Sequence, residues 1–319
     1  MKDKRVLLIL QVFNEIANIE QCVESIKSQN VTFLCLISDN MSTDGTREFL
    51  TSFVSRNPDD FILISPKTHL NIAAHFSFIY GYHDESFDLI PYRMIIGGDD
   101  YLDSPNFLNE LISSIEKNPE FDISVPIYQL HDESNKLISN LSIGIKSRNS
   151  VTRMFFLAFY PTRLGNYNLV ISLMKKDAFD FWALTFISFS EKNLSNSRPV
   201  KAEVIASFRL LQKHSIILND KATYVKRIHN PNRSDRLRPF SDLLADKDHD
   251  FFRIFRMHFQ SWISIFSMVK EFRKEMKLSE YSWYLCLGSI AFIVGWLDFL
   301  YVVLARRFSR LVYRNTHSH

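Results

Sequence analysis

The chain has little cysteine, no internal repeat and no strong charge of either sign. Its three cysteines, Cys22, Cys35 and Cys286, are odd in number and far apart among 319 residues. That spacing excludes a disulfide framework and a clustered zinc site, and fits a reducing cytoplasm. A net charge of +3 with a pI near 8.6 is too mild for a nucleic-acid binder, and no interleaved basic and aromatic RNA-binding motif occurs. Low-complexity tracts are also absent. The amino-terminal Met-Lys-Asp-Lys-Arg passes directly into a short apolar run containing Gln11, with no small-residue cleavage site. It therefore reads as a first strand and not as a signal peptide. What the chain does have is 46% hydrophobic residues, enough over this length to bury a large core in one or two domains.

The first 126 residues alternate β-rich runs with helical patterns. Strands are expected at Val6 to Val12, Thr32 to Ser38, Phe61 to Ser65, Arg93 to Ile96 and Ile123 to Ile127. Helices are expected at Ile16 to Ser28, Thr46 to Ser55, Ile72 to Tyr82 and Asn106 to Lys117. This alternation predicts an α/β fold with a mainly parallel sheet and helices on both faces. Asn14, Thr43 and Ser104-Pro105 are the expected helix starts. Residues 139–150 are Ser- and Asn-rich and read as a loop, and Pro161 and Gly165 interrupt an aromatic stretch. Val204 to Lys213 reads as a helix and Ala222 to Arg227 as a strand.

After Asn230-Pro231-Asn232 the character changes. Phe252, Phe255, Phe259, Trp262, Phe266 and Val269 recur three or four apart, the pattern of an amphipathic helix. Trp283 to Ala305 is nearly all apolar apart from Asp298, and Arg306, Arg307, Arg310 and Arg314 follow. The length is about that of a bilayer crossing, but basic residues on both flanks disfavour a single span. A re-entrant hairpin or interfacial helix at the inner face of the cytoplasmic membrane satisfies both flanks. A buried helix or a homo-oligomer interface is the alternative, since Asp298 is costly in lipid.

The chemistry is concentrated at predicted strand ends. Met94 to Leu102 is an apolar run closed by Gly97-Gly98 and followed by Asp99 and Asp100. Adjacent carboxylates at that place suit a hard metal ion such as Mg²⁺ or Mn²⁺, which completes its shell with water and substrate phosphates. A solvated turn is the bland reading of Asp-Asp alone. Upstream, the first strand ends in Val12-Phe13-Asn14-Glu15 and the second in Asp39-Asn40-Met41-Ser42-Thr43-Asp44-Gly45-Thr46. Loops at the carboxyl ends of parallel strands converge on one crevice, so Asp39, Asp44 and Asp99 can share a site.

Phe-Asn-Glu, Asp-Asn-Met-Ser-Thr-Asp-Gly-Thr and Gly-Gly-Asp-Asp-Tyr-Leu, in this order, resemble the family 2 glycosyltransferases of GT-A (Rossmann-like) fold. The resemblance is specific over residues 5 to 105 and weaker to about residue 230. It implies a glycosyltransferase domain over 1–230, with a donor half to about 126 and an acceptor half from 127, and a membrane-associating or oligomerising tail over 231–319. It further implies that Asp39 binds the nucleotide base and that Val12, Asn14 and Glu15 line the nucleoside pocket. Asn71 would match an Asn-x-Gly turn. Asp99, beside Gly98, would stand at the last position of Asp-x-Asp and ligate Mn²⁺ or Mg²⁺ on the donor diphosphate. Glu203, in Lys-Ala-Glu-Val, matches the helix-start carboxylate that serves as base, with Glu191 the runner-up on the acceptor side. Asp100 is a supporting carboxylate. Asn166 matches an acceptor-side loop, and Arg227-Ile228-His229 a late basic element facing diphosphate or metal.

Three departures bear on this. Gly97 replaces the first aspartate of Asp-x-Asp, Ala73 replaces a glycine, and Met41 stands where glycine is common. Gln-x-x-Arg-Trp, the acceptor signature of processive synthases, is absent. The expectation is thus a non-processive, inverting, metal-dependent transferase moving sugar from a nucleotide-sugar, with uridine diphosphate the foremost nucleotide, to a glycan or polyprenyl-linked acceptor in surface polysaccharide synthesis. Two alternatives stand beside it. One is a membrane-associated nucleotide-sugar binder that lost catalysis with the Gly97 substitution. The other is a nucleotidyltransferase, against which the absence of a glycine-rich basic loop after the first strand weighs.

Overall fold

The computed structural model describes residues 3–82, 84–132, 135–141, 167–192 and 199–227, and six isolated positions between 273 and 293. Contacts group Met1–Arg153 with Gly165–His229 in one unit and Met154–Leu164 with Asn230–His319 in another. The sheet described below belongs to the first unit. The hydrophobic tail, with the segment from Trp283 to Ala305, lies outside the described residues apart from those few positions. Among the described residues no helix is long and apolar enough to cross a membrane.

The first half is built as its apolar runs dictate. Strands β1 (Val6–Val12), β2 (Phe33–Asp39), β3 (Phe61–Ile64) and β4 (Tyr92–Gly97) lie in the order β3-β2-β1-β4, all parallel. Every residue of β2 is buried, as a strand covered on both faces requires. Helix α1 (Ile19–Lys27) buries Ile19, Cys22, Val23 and Ile26, one stripe at helical spacing. Helices α2 (Thr46–Arg56), α3 (Ile72–Gly81) and α4 (Phe107–Lys117) follow the same rule, α4 burying Phe107, Leu108, Leu111, Ile112 and Ile115. Each such aliphatic or aromatic side chain contributes roughly 1.5–3 kcal/mol on burial.

The second half of the sheet is mixed. Beyond β4 the order continues through β8 (Leu173–Lys175), β6 (Ile123–His131), β9 (Ile216–Arg227) and β5 (Tyr101–Leu102), with β7 (Leu137–Leu141) on β6. Only β6 and β9 pair in parallel there; β8, β7 and β5 join antiparallel. A short helical turn, α5 (Tyr167–Val170), precedes β8, and helices α6 (Lys176–Lys192) and α7 (Pro199–Lys213) lead into β9. The sheet is therefore mainly parallel as expected, with an antiparallel admixture that two- and three-residue strands are too short to announce. β7 also carries Ser139 to Leu141 out of the expected loop and into the sheet.

Helix starts differ from expectation. α1 begins at Ile19 after Asn18, and Asn14 instead adopts a left-handed φ of 55° in the preceding loop. α2 opens after Gly45, whose φ of 100° suits glycine, and Asp44 rather than Thr43 takes the Thr46 amide on Oδ1 at 3.1 Å. Ser104 does precede α4, its carbonyl accepting from the Phe107 amide at 3.0 Å. Asn14 and Thr43 are diverted because they bind each other across two loops.

Candidate functional site

The site begins with register. Val12 lies opposite Asp39, and Gln11 opposite Gly97, so β1, β2 and β4 end side by side along one edge. The loops after β1 and β2 are joined by four hydrogen bonds. The amides of Asn14, Glu15 and Ile16 donate to Ser42 Oγ (2.8 Å), Thr46 Oγ1 (2.9 Å) and Asp44 Oδ2 (3.1 Å), and the Thr43 amide returns to Asn14 Oδ1 (2.8 Å). Ser, Thr, Asn and Asp are the residues able to satisfy loop amides in this way.

Asp39 is fully buried at the end of β2. Its Oδ1 accepts from the Ser42 amide at 3.2 Å and its Oδ2 from Arg47 Nε at 2.8 Å. The same guanidinium reaches Ser65 Oγ at 2.5 Å and Met41 Sδ at 3.2 Å. Met41 takes φ 66°, the left-handed conformation that glycine adopts without strain. Arg47 was not among the residues singled out by sequence. Its signal is its place in the first turn of α2, eight residues after Asp39.

Asn40 anchors the next wall. Its Oδ1 and Nδ2 pair with the amide and carbonyl of Leu70 at 2.9 and 2.8 Å, and its own carbonyl contacts His69 Nδ1 at 3.1 Å. His69 packs on Phe13 with ring centroids 4.4 Å apart, and Phe13 is 43% exposed. An exposed aromatic ring beside a buried carboxylate is suited to a flat heterocycle. Asn71 caps α3, accepting from the Ala74 amide at 3.0 Å, and Ala73 lies within regular helix where no glycine is required. His75, also missed, bonds Ser38 Oγ at 2.8 Å, and burial lowers its pKa to about 4, so it is neutral at pH 7.

The Gly97–Asp100 turn is fixed from several sides. Gly98 donates to the Gln11 carbonyl at 3.0 Å, and a Cβ there would lie 3.2 Å from that oxygen and from Val12 Cγ2. Gly97 donates to Tyr224 Oη at 3.2 Å, and Tyr224 Oη donates to Asp100 Oδ2 at 2.7 Å. The Arg227 amide holds Asp100 Oδ1 at 3.2 Å. Asp100 is thus buried with both oxygens engaged, and burial raises its pKa to about 7 against the pull of Lys226. Asp99 is the half-exposed carboxylate of the pair.

Glu203 sits near the start of α7, partly buried, and burial raises its pKa to about 7, opposed by the Lys226 ammonium. Lys226, on β9, therefore lies within electrostatic reach of both Asp100 and Glu203, as does Tyr128. Tyr128 stacks on Tyr224 with centroids 5.7 Å apart. Lys226 and Tyr224 carry no motif, only alternate positions on one strand. Glu191 falls in the last turn of α6. Asn166 and His229 lie outside the described residues.

A divalent ion would meet few side-chain donors at this turn. Gly97 offers no ligand, Asp100 is committed, and among the described residues no three His, Cys, Asp or Glu side chains form a metal cluster. Asp99 remains. One carboxylate fits a hard ion that takes its other ligands from water and a donor's phosphates, the usual habit of Mg²⁺.

A family model described as Glycosyl transferase family 2 matches residues 8–182. No curated protein matches the chain. Among solved structures, S. aureus TarS 1-349 in complex with UDP-GlcNAc is 11% identical, with 94% of this chain and 81% of that one covered and a TM-score of 0.52, a likeness of fold. The same TarS segment with UDP gives 10% identity and a TM-score of 0.48, covering 82% of this chain and 65% of that one. A mannosyltransferase from Pyrobaculum calidifontis, in complex with GDP-Man and Mn²⁺, gives 13% identity and a TM-score of 0.48 over 96% of this chain and 87% of that one.

Proposed function

The chain belongs to glycosyl transferase family 2, and from that premise we propose a non-processive, inverting transfer from a nucleotide-sugar, with UDP the foremost carrier, to a glycan or polyprenyl-linked acceptor. The carrying observation is that Asp39 and Asp99 lie at the ends of parallel strands that flank β1 in one sheet, with Lys226 in electrostatic reach of both Asp100 and Glu203. In this reading Asp39 accepts from a base N–H or ribose hydroxyl, in a pocket that Val12, Asn14, Glu15 and Asn71 help to shape. Asp99 holds the divalent ion. That ion, when bound, supplies the positive charge that a departing diphosphate needs.

Glu203 takes the proton from the acceptor hydroxyl while the hydroxyl oxygen attacks the anomeric carbon. The bond to the diphosphate breaks on the opposite face, and its electron pair leaves with the diphosphate. A carboxyl poised near pH 7 is matched to proton transfer at that pH. The tail over 231–319 would bring this chemistry to the inner membrane face, where a polyprenyl-linked acceptor resides. Surface polysaccharide synthesis is the setting that fits these parts.

The test is transfer or hydrolysis of UDP- and GDP-sugars with Mn²⁺ by the wild type, Asp99→Ala and Glu203→Ala. Turnover falling by about 10²–10⁴ in Glu203→Ala supports the assignment. Unchanged turnover in both variants overturns it. Gly97 favours one second reading, a nucleotide-sugar binder without catalysis, and a wild type that binds donor yet neither transfers nor hydrolyses it would establish that reading instead.

A further inference from the structure

Arg227, a buried residue at 5% exposure, ends β9, and its side-chain hydrogen bonds run to neutral oxygens. Nη1 donates to the Asp99 carbonyl at 3.1 Å, Nε to Asn135 Oδ1 at 3.3 Å, and Nη2 to Gln21 Oε1 and, at 3.4 Å, to Asn135 Oδ1. Its Cζ lies 5.1 Å from the Tyr101 ring centroid, over the ring face. The residue's own amide holds Asp100 Oδ1 at 3.2 Å. A buried cation is costly unless its fork is filled, and here the Asp99 carbonyl, Gln21 and Asn135 fill it together.

These contacts tie three separate parts of the chain to the Gly97–Asp100 turn. Gln21 comes from α1, Asn135 from the turn between β6 and β7 with φ 61°, and Arg227 from the last residue of β9. The fork is therefore shared among Gln21, Asn135 and the backbone of Asp99, one bond ending on the turn itself. With the Asp99 carbonyl held by Arg227, Asp100 held by Arg227 and Tyr224, and Gly98 held by Gln11, the direction in which the Asp99 side chain leaves the turn is fixed beforehand. Such preorganisation raises affinity without adding a contact to the ligand.

We propose that Arg227 is a positioning residue that aims the Asp99 carboxylate and thereby sets the affinity for nucleotide diphosphate with its divalent ion. The inference rests on the reading of Asp99 given above. Lysine carries the charge but not the planar fork, so Arg227→Lys separates aim from charge.

Calorimetric titration of UDP and of GDP, each with Mn²⁺ and with EDTA, is made on the wild type, Asp99→Ala, Arg227→Lys and the double variant. Loss of a residue that orients a metal ligand typically weakens binding about 10- to 100-fold. Arg227→Lys is expected to lose about tenfold with Mn²⁺ and under about twofold in EDTA. The double variant should bind no more weakly than Asp99→Ala, because Arg227 acts through Asp99. Wild-type affinity in Arg227→Lys, or losses that multiply in the double variant, overturn the proposal and leave the donor site standing. A wild-type-like Asp99→Ala, or a wild type that binds neither nucleotide, overturns the donor-site reading itself. Asn135→Gly removes the outer acceptor at an exposed position whose φ glycine adopts freely. If Arg227→Lys fails to fold, that variant decides, with a loss of roughly threefold supporting the proposal and none refuting it.

Discussion

Arg47 donates to Asp39 at 2.8 Å, so the buried carboxylate at the end of β2 is ion-paired from within its own strand-loop-helix unit. Asp39 is 1% exposed at its side chain and Arg47 35%, an asymmetry that leaves the cation at the rim and the anion inside. Removing the rim partner strands a buried charge. Arg47→Leu should lower stability by about 1–3 kcal/mol in urea denaturation, less than the full cost of a deeply buried pair because Arg47 is partly solvated. Nucleotide affinity should fall with it. A midpoint matching that of the wild type would refute this account of the pair.

Gly97 invites a repair that geometry opposes. A Cβ on it would lie 2.8 Å from Asp99 Oδ1 and 2.9 Å from Asp100 Oδ2, so the space of the missing first aspartate is already filled by the two that follow. Overpacking of this kind costs about 1–3 kcal/mol. Gly97→Asp is accordingly expected to weaken Mn²⁺-dependent nucleotide binding by about tenfold or more, where a simple restoration of Asp-x-Asp would strengthen it. Calorimetry with UDP and Mn²⁺ separates the two outcomes by sign.

The parts of this molecule legible in sequence are those whose signal is local. β1, β2 and β4 are largely apolar runs ending in polar loops, with Asp39 closing β2 and Asp99 two residues past β4, so strand and candidate ligand come in one stretch. β5 and β8 have two and three residues, too few for any period to register. Tyr224 meets Asp100 across 124 positions and Arg227 meets the Asp99 carbonyl across 128, contacts that arise only when β9 lies beside β5. Arg47 was missed for a different reason: a helix-start arginine reads as solvated until the burial of Asp39 is known. Asn14 and Thr43 are legible as polar residues that suit helix starts, but a hydrogen bond joins each to the other.

Met41 shows how one departure from the glycine pattern is accommodated. Its φ of 66° is unfavourable for a side chain by roughly 1–2 kcal/mol, while its sulfur lies 3.2 Å from Arg47 Nη2. Met41→Gly should relieve the strain and release that contact. The expected result is a gain of about 0.5–1 kcal/mol in thermal or urea denaturation, reduced by the entropy glycine adds to the unfolded chain. A loss of stability would mean that the thioether contact outweighs the backbone term.

The proposed membrane role of the tail turns on its charge. Arg306, Arg307, Arg310 and Arg314 follow the apolar segment, and each basic residue near an anionic surface is worth about 1 kcal/mol. Replacing all four by glutamine should weaken binding to phosphatidylserine vesicles by on the order of 10³-fold in sedimentation. Vesicle binding that is indifferent to these charges and to salt would remove the electrostatic part of the reading.

Glu203 joins stability to activity with opposite signs. Burial raises its pKa to about 7 in the folded protein, above an ordinary glutamate in the unfolded chain. Between those values the folded state holds more protons, so the contribution is fully present below pH 4 and is lost as pH rises through 7. Glu203→Gln removes that pH dependence. At pH 8 the variant should be more stable than the wild type by about 1–2 kcal/mol, discounted from the full linkage because the side chain is partly exposed, and near pH 4 the difference should vanish. Activity should move the other way, falling by about 10²–10⁴ in the variant, and wild-type turnover should decline as pH drops below 7 and the carboxylate is protonated. Asp100 titrates in the same range with the same sign, so the readout is the difference between the two proteins at each pH. A variant that loses activity without gaining stability at pH 8 would leave the base assignment intact and refute the raised pKa. One that gains stability and keeps its turnover would place the base elsewhere, with Glu191 the next carboxylate to examine.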